Sequence, residues 1–260
     1  MKKLLLTFSI ALVSFSSILL TGCEKEDPNV ISMSQVDQNG IIMVQGKDGQ
    51  EYAVVDLGFP TKKLWAVCNI GADSPEKFGS FFSWGETETK SIYSWDSYKW
   101  VNNGEFTDFN KYCTLKNSGG GTFKDDKTVL DKEDDAAKQI MGENWSVPTR
   151  EDFNELVYRC NIRRCKLNGV WGFLFTSKEK GYEKNSIFIP LSGRMDSKND
   201  VSQHLFKGEY GFYWCNTITN DTRTAYVFWM ETRNNENNAV SSTSLDRYIG
   251  LNIRPITRVQ

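Results

Sequence analysis

Short apolar runs separated by turn-forming residues fill the second half of the chain. From residue 169 onward, Gly, Asn, Asp and Ser interrupt the apolar residues every few positions, which is typical of β-strands joined by turns. In the run 225–231 both the odd-numbered and the even-numbered positions carry apolar side chains. Both faces of this strand are therefore apolar, and it is predicted to be central and buried on both faces. The predicted strands are 172–176, 186–190, a segment within 210–217, 225–231 and 251–259.

A β-hairpin and a third strand are predicted near the start of the folded region. Residues 41–44 and 51–55 are strand-like, and Asp48-Gly49 lies between them. An Asp-Gly pair favours a tight hairpin because both turn residues need positive φ. The run 64–68 predicts the third strand.

Two segments in the middle of the chain have helical character. Residues 130–140 begin with several acids, and we expect Asp131 to cap this helix because a carboxylate there pairs with free backbone N–H groups. A second helix is expected to open at Thr149, just after the extended run that ends in Pro148. Its apolar face, spaced i, i+3, i+4 and i+7, consists of Phe153, Leu156, Val157 and Cys160.

The region 71–121 lacks sustained periodicity and is dense in Trp, Tyr, Ser, Asn and Gly. Long loops of this kind are uncommon in compact domains and are often functional where they occur. No tandem repeat is present. Strands, two helices and long loops together predict one α+β domain over residues 39–260.

The first 22 residues have the pattern of a secretory signal. Lys2 and Lys3 precede an apolar stretch over 4–20. The run Leu20-Thr21-Gly22-Cys23 resembles the lipobox of bacterial lipoproteins, in which the cysteine carries the lipid and the preceding bond is cut. We therefore expect a lipid anchor on Cys23 and a flexible tether over 23–38. The alternative is an ordinary signal peptide and a secreted protein.

The net charge and the composition of the chain limit the classes of binding partner that we expect. Removal of the signal leaves 238 residues with a net charge near −4 and no basic patch, so nucleic acid is not expected as a partner. Aromatic residues make up 13% of the chain, enough for a large core.

Five cysteines remain when Cys23 is committed to lipid, so at least one of them stays free. None of the spacings is CxxC and His204 is the single histidine, which argues against a structural zinc site. At most two disulfides can form in the exported compartment, and the residues alone leave their pairing open. The five are Cys68, Cys113, Cys160, Cys165 and Cys215.

Seven short motifs follow one another in order along residues 51–258. They are VDLG at 55–58, LWAVCNIGA at 64–72, FSWGETE at 82–88, LDKEDDAA at 130–137, WSVPT at 145–149, IFIP at 187–190 and GLNIRP at 250–255. Each motif is weak alone, but together they resemble the Fibrobacter succinogenes major paralogous domain family, which is common in Bacteroidetes surface lipoproteins.

The resemblance implies a C-type lectin-like fold, similar to that of formylglycine-generating enzymes, with a loop-rich binding face. It also implies a disulfide between Cys68 and Cys160. The acidic residues 24–27 resemble a signal that sends such lipoproteins to the outer face of the outer membrane. Cys215 departs from the family, which often has a serine at this position, so any role of that serine is in doubt here.

Candidates for chemistry are few, and we expect no enzyme. His204 lies in a polar segment, where a lone histidine is usually a surface residue. Glu86 and Glu88 lie two apart in one loop, whereas glycoside hydrolysis needs carboxyl groups on opposite sides of a bond. The loop holding Asp196, Asn199 and Asp200 offers oxygen ligands for calcium, or it forms a turn without metal. No other cofactor is expected.

Binding is the favoured function. Trp95, Tyr98 and Trp100 lie among polar residues of the irregular region, where they either stack on a glycan or a protein ligand or cover the core. The polar loop 232–238 adds Arg233, Asn234 and Asn235, by analogy with variable loops of lectin-like proteins, unless it is a plain hairpin loop. We therefore expect a surface-anchored, non-catalytic binding module. The alternatives are a fimbrial or structural assembly component and, less favoured, a hydrolase or modifying enzyme.

Overall fold

The computed structural model describes residues 30–31, 40–114, 123–231 and 240–258. The signal segment, Cys23 and the loop with Arg233, Asn234 and Asn235 lie outside the described residues. Within them, no helix is long and apolar enough to cross a membrane. The strands are β1 Val30–Ile31, β2 Ile41–Gln45, β3 Glu51–Val55, β4 Leu64–Ala66, β5 Trp145–Ser146, β6 Cys160–Leu167, β7 Val170–Ser177, β8 Ser186–Pro190, β9 Arg194–Lys198, β10 Val201–Leu205, β11 Tyr210–Ile218, β12 Thr224–Glu231, β13 Val240–Asp246 and β14 Ile256–Thr257, and the helices are α1 Ala136–Met141 and α2 Arg150–Arg159.

The strands of the described residues are arranged in four small sheets. Their strand orders are β2-β3-β4-β14-β5, β1-β6-β7-β8, β11-β12-β13 and β9-β10. Every pairing is antiparallel except that of β1 with β6. Small antiparallel sheets with two helices confirm the α+β class. Within the segment 23–38, predicted to be a flexible tether, Val30–Ile31 form a short parallel strand beside β6.

The core consists of two large apolar clusters on opposite faces of β11 and β12. Phe212, Trp214 and Val227 belong to the first cluster, whereas Tyr213 and Phe228 belong to the second. This alternation follows from the two-residue period of a strand. It confirms that β12 is central and buried on both faces.

The second helix is confirmed, and its cap is explicit. Thr149 Oγ1 accepts from the Asp152 backbone N–H, and the Asp152 side chain accepts from the Thr149 backbone N–H, which is a capping box. The first helix is shorter than predicted and is capped by Asp135 rather than Asp131. Asp131 instead pairs with Lys111 and Lys127. Cys160 ends α2 and begins β6, so it does not lie on the helical face.

Most predicted strands are confirmed, but the polar ones were missed. The hairpin of β2 and β3 forms around Lys47–Gly49, although this turn is a short 3-10 helix and not a two-residue turn. Strands β9, β10 and β13 carry few apolar residues, so hydrophobic alternation does not reveal them.

Candidate functional site

The aromatic residues that the sequence singles out for binding lie in a packed cluster. Tyr98 is only 3% exposed, and its hydroxyl donates to the Trp84 carbonyl over 2.8 Å. The Trp100 indole N–H donates to the Gly85 carbonyl over 2.9 Å. Trp95 is partly buried and packs edge-on against Tyr98. The Tyr98 ring is therefore not accessible to a ligand. The Trp95 and Trp100 rings are fixed by contacts within the fold.

A fully buried arginine organises this region. The Arg247 guanidinium donates to the Tyr98 hydroxyl at 2.8 Å and to the carbonyl oxygens of Thr222 at 2.8 Å, Tyr112 at 3.1 Å and Lys111 at 3.1 Å. A buried cation is tolerated only when its donors are satisfied. The contacts tie the long irregular segment to the C-terminal part of the chain, which is a structural role.

An open aromatic cleft of about 480 Å³ lies over the sheet β11-β12-β13. Tyr210, Phe212 and Trp229 line it from the face of the first core cluster. Phe212 lies directly opposite Trp229, which in turn lies opposite Ser241 on β13. The Tyr210 and Phe212 rings stack with their centroids 5.6 Å apart and their planes 11° apart. The sheet register thus builds a row of aromatic rings that ends at a hydroxyl.

Phe206 closes the cleft from a turn after β10. Its ring is 40% exposed and lies edge-on to Tyr210 at 5.3 Å. Its φ of 60° is rare for a bulky residue and costs on the order of 1–3 kcal/mol, so the surroundings must enforce it. Gly193 allows the close approach, because a Cβ there would lie 2.2 Å from the Leu205 carbonyl oxygen.

Arg194 adds charge to the edge of the cleft. Its guanidinium lies 5.3 Å from the Phe206 ring centroid and pairs with Asp196 at 3.2 Å. Asp196 also accepts a hydrogen bond from Tyr248 at 3.3 Å. The cleft therefore combines aromatic faces with an adjacent donor and acceptor.

The loop considered for calcium is a hairpin turn. Asn199 and Asp200 are the two residues that join β9 to β10, with φ of 52° and 58°, as a two-residue turn with left-handed residues requires. Asp196 is already paired with the Arg194 cation. In the described part of the chain no group of three or more His, Cys, Asp and Glu residues could hold a metal ion. These contacts agree with the alternative reading of the loop, a turn formed without metal.

The candidates for catalysis are not assembled into a reacting group. The exposed His204 ring contacts the backbone carbonyl oxygen of Ser192 at 2.6 Å, not a hydroxyl. Glu86 is buried and forms an ion pair with Lys90 at 2.8 Å, whereas Glu88 is exposed to solvent. His204 and Glu86 thus have ordinary structural partners.

The disulfide implied by the resemblance is not formed in the structure. Cys68 and Cys160 are both free thiols. Burial raises the pKa of Cys160 to about 12 and also raises the pKa of Cys215. Both thiols are therefore protonated at neutral pH, and neither is an activated nucleophile.

The cleft residues were missed because the register of the strands decides which of them meet. The sequence did contain a signal for the β9–β10 hairpin, which precedes Phe206. Asn199-Asp200 lies between two polar runs and fits a two-residue hairpin turn better than a metal-binding loop. The predicted residues Arg233, Asn234 and Asn235 lie outside the described residues, but their loop joins β12 to β13, and both strands line the cleft.

Comparison of the chain with protein-family models, with curated proteins and with solved structures finds no match.

Proposed function

We propose that this protein is a bacterial lipoprotein, anchored by lipid on Cys23 to the outer face of the outer membrane, whose head binds a glycan in the aromatic cleft without performing chemistry. The lipobox-like run before Cys23 and the acidic residues 24–27 support the anchor and its location. The seven ordered motifs support a C-type lectin-like head related to the Fibrobacter succinogenes major paralogous domain family.

We choose a glycan as the ligand because of the residues that line the aromatic cleft. A sugar ring has apolar C–H faces and a rim of hydroxyl groups, so it fits a wall of rings bordered by polar groups. Phe206, Tyr210 and Trp229 supply the rings, and the Arg194–Asp196 pair supplies a donor and an acceptor for neighbouring hydroxyls. A volume of about 480 Å³ is within the usual range of small-ligand sites.

A glycan array tests this proposal with a matched pair of variants. Phe206→Asn removes the ring, and Asn tolerates the positive φ at this position better than most residues. We expect it to reduce binding at least tenfold while the protein stays folded. Phe106→Asn removes a different exposed phenylalanine, 43% exposed and outside the cleft, and should bind like the wild type. Binding that survives Phe206→Asn would contradict the proposed site.

The anchor is tested separately. A Cys23→Ser chain should no longer be labelled by fatty acid, and protease added to intact cells should degrade the wild-type protein. A Cys23→Ser chain that still incorporates fatty acid would contradict the anchor. Protection from external protease in intact but not in permeabilised cells would contradict surface exposure.

A further inference from the structure

Strand β6 carries a group of cations where the chain from Cys23 joins the folded domain. Arg163, Arg164 and Lys166 lie on this strand. Val30 of β1 pairs with Lys166, and Ile31 pairs with Leu167. The cations are thus adjacent to the first residues that the structure describes.

A tryptophan organises two of these cations. The Arg164 guanidinium lies 4.5 Å and the Lys166 ammonium 4.7 Å from the ring centroid of Trp171 on β7. Arg163 is exposed, and neither it nor Lys166 forms an ion pair with any residue that the structure describes. The side chains of Arg164, Lys166 and Trp171 lie on one face of the sheet, whereas that of Arg163 lies on the other, so we call Arg164, Lys166 and Trp171 the β6 cation cluster.

The length of the tether places this cluster on the membrane side of the head. Seven Cα–Cα steps separate Cys23 from Val30, so the tether spans at most about 25 Å. A domain of this size is on the order of 45 Å across. The far side of the head therefore cannot turn towards the membrane, whereas β6 remains within reach of it.

We infer that the β6 cation cluster docks the head on the phosphate groups of an anionic membrane surface, an inference that rests on the proposed anchor at Cys23. Arginine binds phosphate through paired N–H donors, and tryptophan favours the boundary between headgroups and acyl chains. Each cation near an anionic surface strengthens binding about fivefold, and the tether keeps the cluster at high local concentration.

The cluster and the cleft lie on different parts of the head. The sheet that contains β6 packs against the second core cluster through β7 and β8. The cleft residues Tyr210, Phe212 and Trp229 lie on the opposite face of β11 and β12, with the first core cluster.

Charged residues at the edge of a sheet also prevent sheets from pairing with one another, and β1 covers only the Lys166 and Leu167 end of β6. That role requires no lipid. The two explanations therefore differ in whether the cluster contacts lipid and whether the contact depends on lipid charge.

Photocrosslinking of the acylated full-length mature protein tests the inference. The protein is reconstituted in vesicles of phosphatidylglycerol or of phosphatidylcholine that contain a lipid with a photoactivatable headgroup, and crosslinked peptides are mapped by mass spectrometry. The cluster variant combines Arg164→Gln and Lys166→Gln. The matched control combines Lys180→Gln and Lys184→Gln, two exposed lysines outside the cluster.

We expect crosslinks to concentrate on residues 161–171 in phosphatidylglycerol vesicles. They should fall at least fivefold in the cluster variant and in phosphatidylcholine, and should be unchanged in the control. Crosslinks spread over the head, or unchanged in the cluster variant, would overturn the inference. Flotation with the vesicles depends on the acyl chains and should be equal for all three proteins, so docking and anchoring are judged by different readouts.

Discussion

Removal of one buried hydroxyl separates a structural role of Tyr98 from a ligand-binding role. In Tyr98→Phe the ring stays in place, but the Trp84 carbonyl loses its donor and Arg247 Nε loses its acceptor, each originally 2.8 Å away. Leaving a buried polar group unpaired costs about 1–3 kcal/mol, so the loss of two partners should lower the free energy of unfolding by about 2–6 kcal/mol. This is a large part of the roughly 5–15 kcal/mol that stabilises a typical domain.

Equilibrium unfolding in urea measures the effect. With a denaturant slope of about 3 kcal/mol per molar urea, the transition midpoint should fall by roughly 1 M without a change in slope. Tyr158→Phe is the matched control because Tyr158 is 76% exposed, and it should change the free energy of unfolding by less than about 0.5 kcal/mol. Equal midpoints for Tyr98→Phe and Tyr158→Phe would refute the buried role of Tyr98.

Three further predictions concern ionisation, capping and thiols. Hydrogen bonds from Lys111 and Lys127 lower the pKa of Asp131, so these ion pairs stabilise the fold above the unfolded-state pKa, and that stabilisation is lost as pH falls through the folded-state pKa. Asp131→Asn should therefore lower the free energy of unfolding at neutral pH and match the wild type in strong acid. Urea titrations at both pH values measure this difference. Thr149→Ala should cost about 1 kcal/mol by the same measurement, and no loss would contradict the capping box. Unreduced acylated protein should release five titratable thiols in urea, whereas a count of three would show that two of these cysteines form a disulfide.

Local patterns predicted the parts of the fold that depend on local physics. The 3.6-residue period and the Thr149 cap located α2, and the two-sided apolar pattern of 225–231 located the central strand. Strand β13, with the sequence VSSTSLD, has one partner strand and no apolar alternation, so its pairing with β12 decides its structure. Asp131 could have served as a helix cap, but two lysines distant from the helix engage it instead.

The candidate site was harder to predict because it depends on contacts between distant segments. Aromatic residues among polar neighbours suggested exposure around Trp95 and Trp100, yet the buried Arg247 draws that segment into the core. Sequence patterns assign a lone arginine to the surface, so this reversal could not be foreseen. The cleft needs the β11–β12 register and the positive φ of Phe206, neither of which a linear pattern shows.

Tryptophan indole NMR during a glycan titration compares the two candidate surfaces directly. Labelling of the eight tryptophans with ¹⁵N gives one indole signal for each, assigned by single substitutions. Titration with a glycan selected on the array should shift the Trp229 signal and leave those of Trp95 and Trp100 in place. Shifts at Trp95 or Trp100 with none at Trp229 would show that the ligand binds outside the cleft.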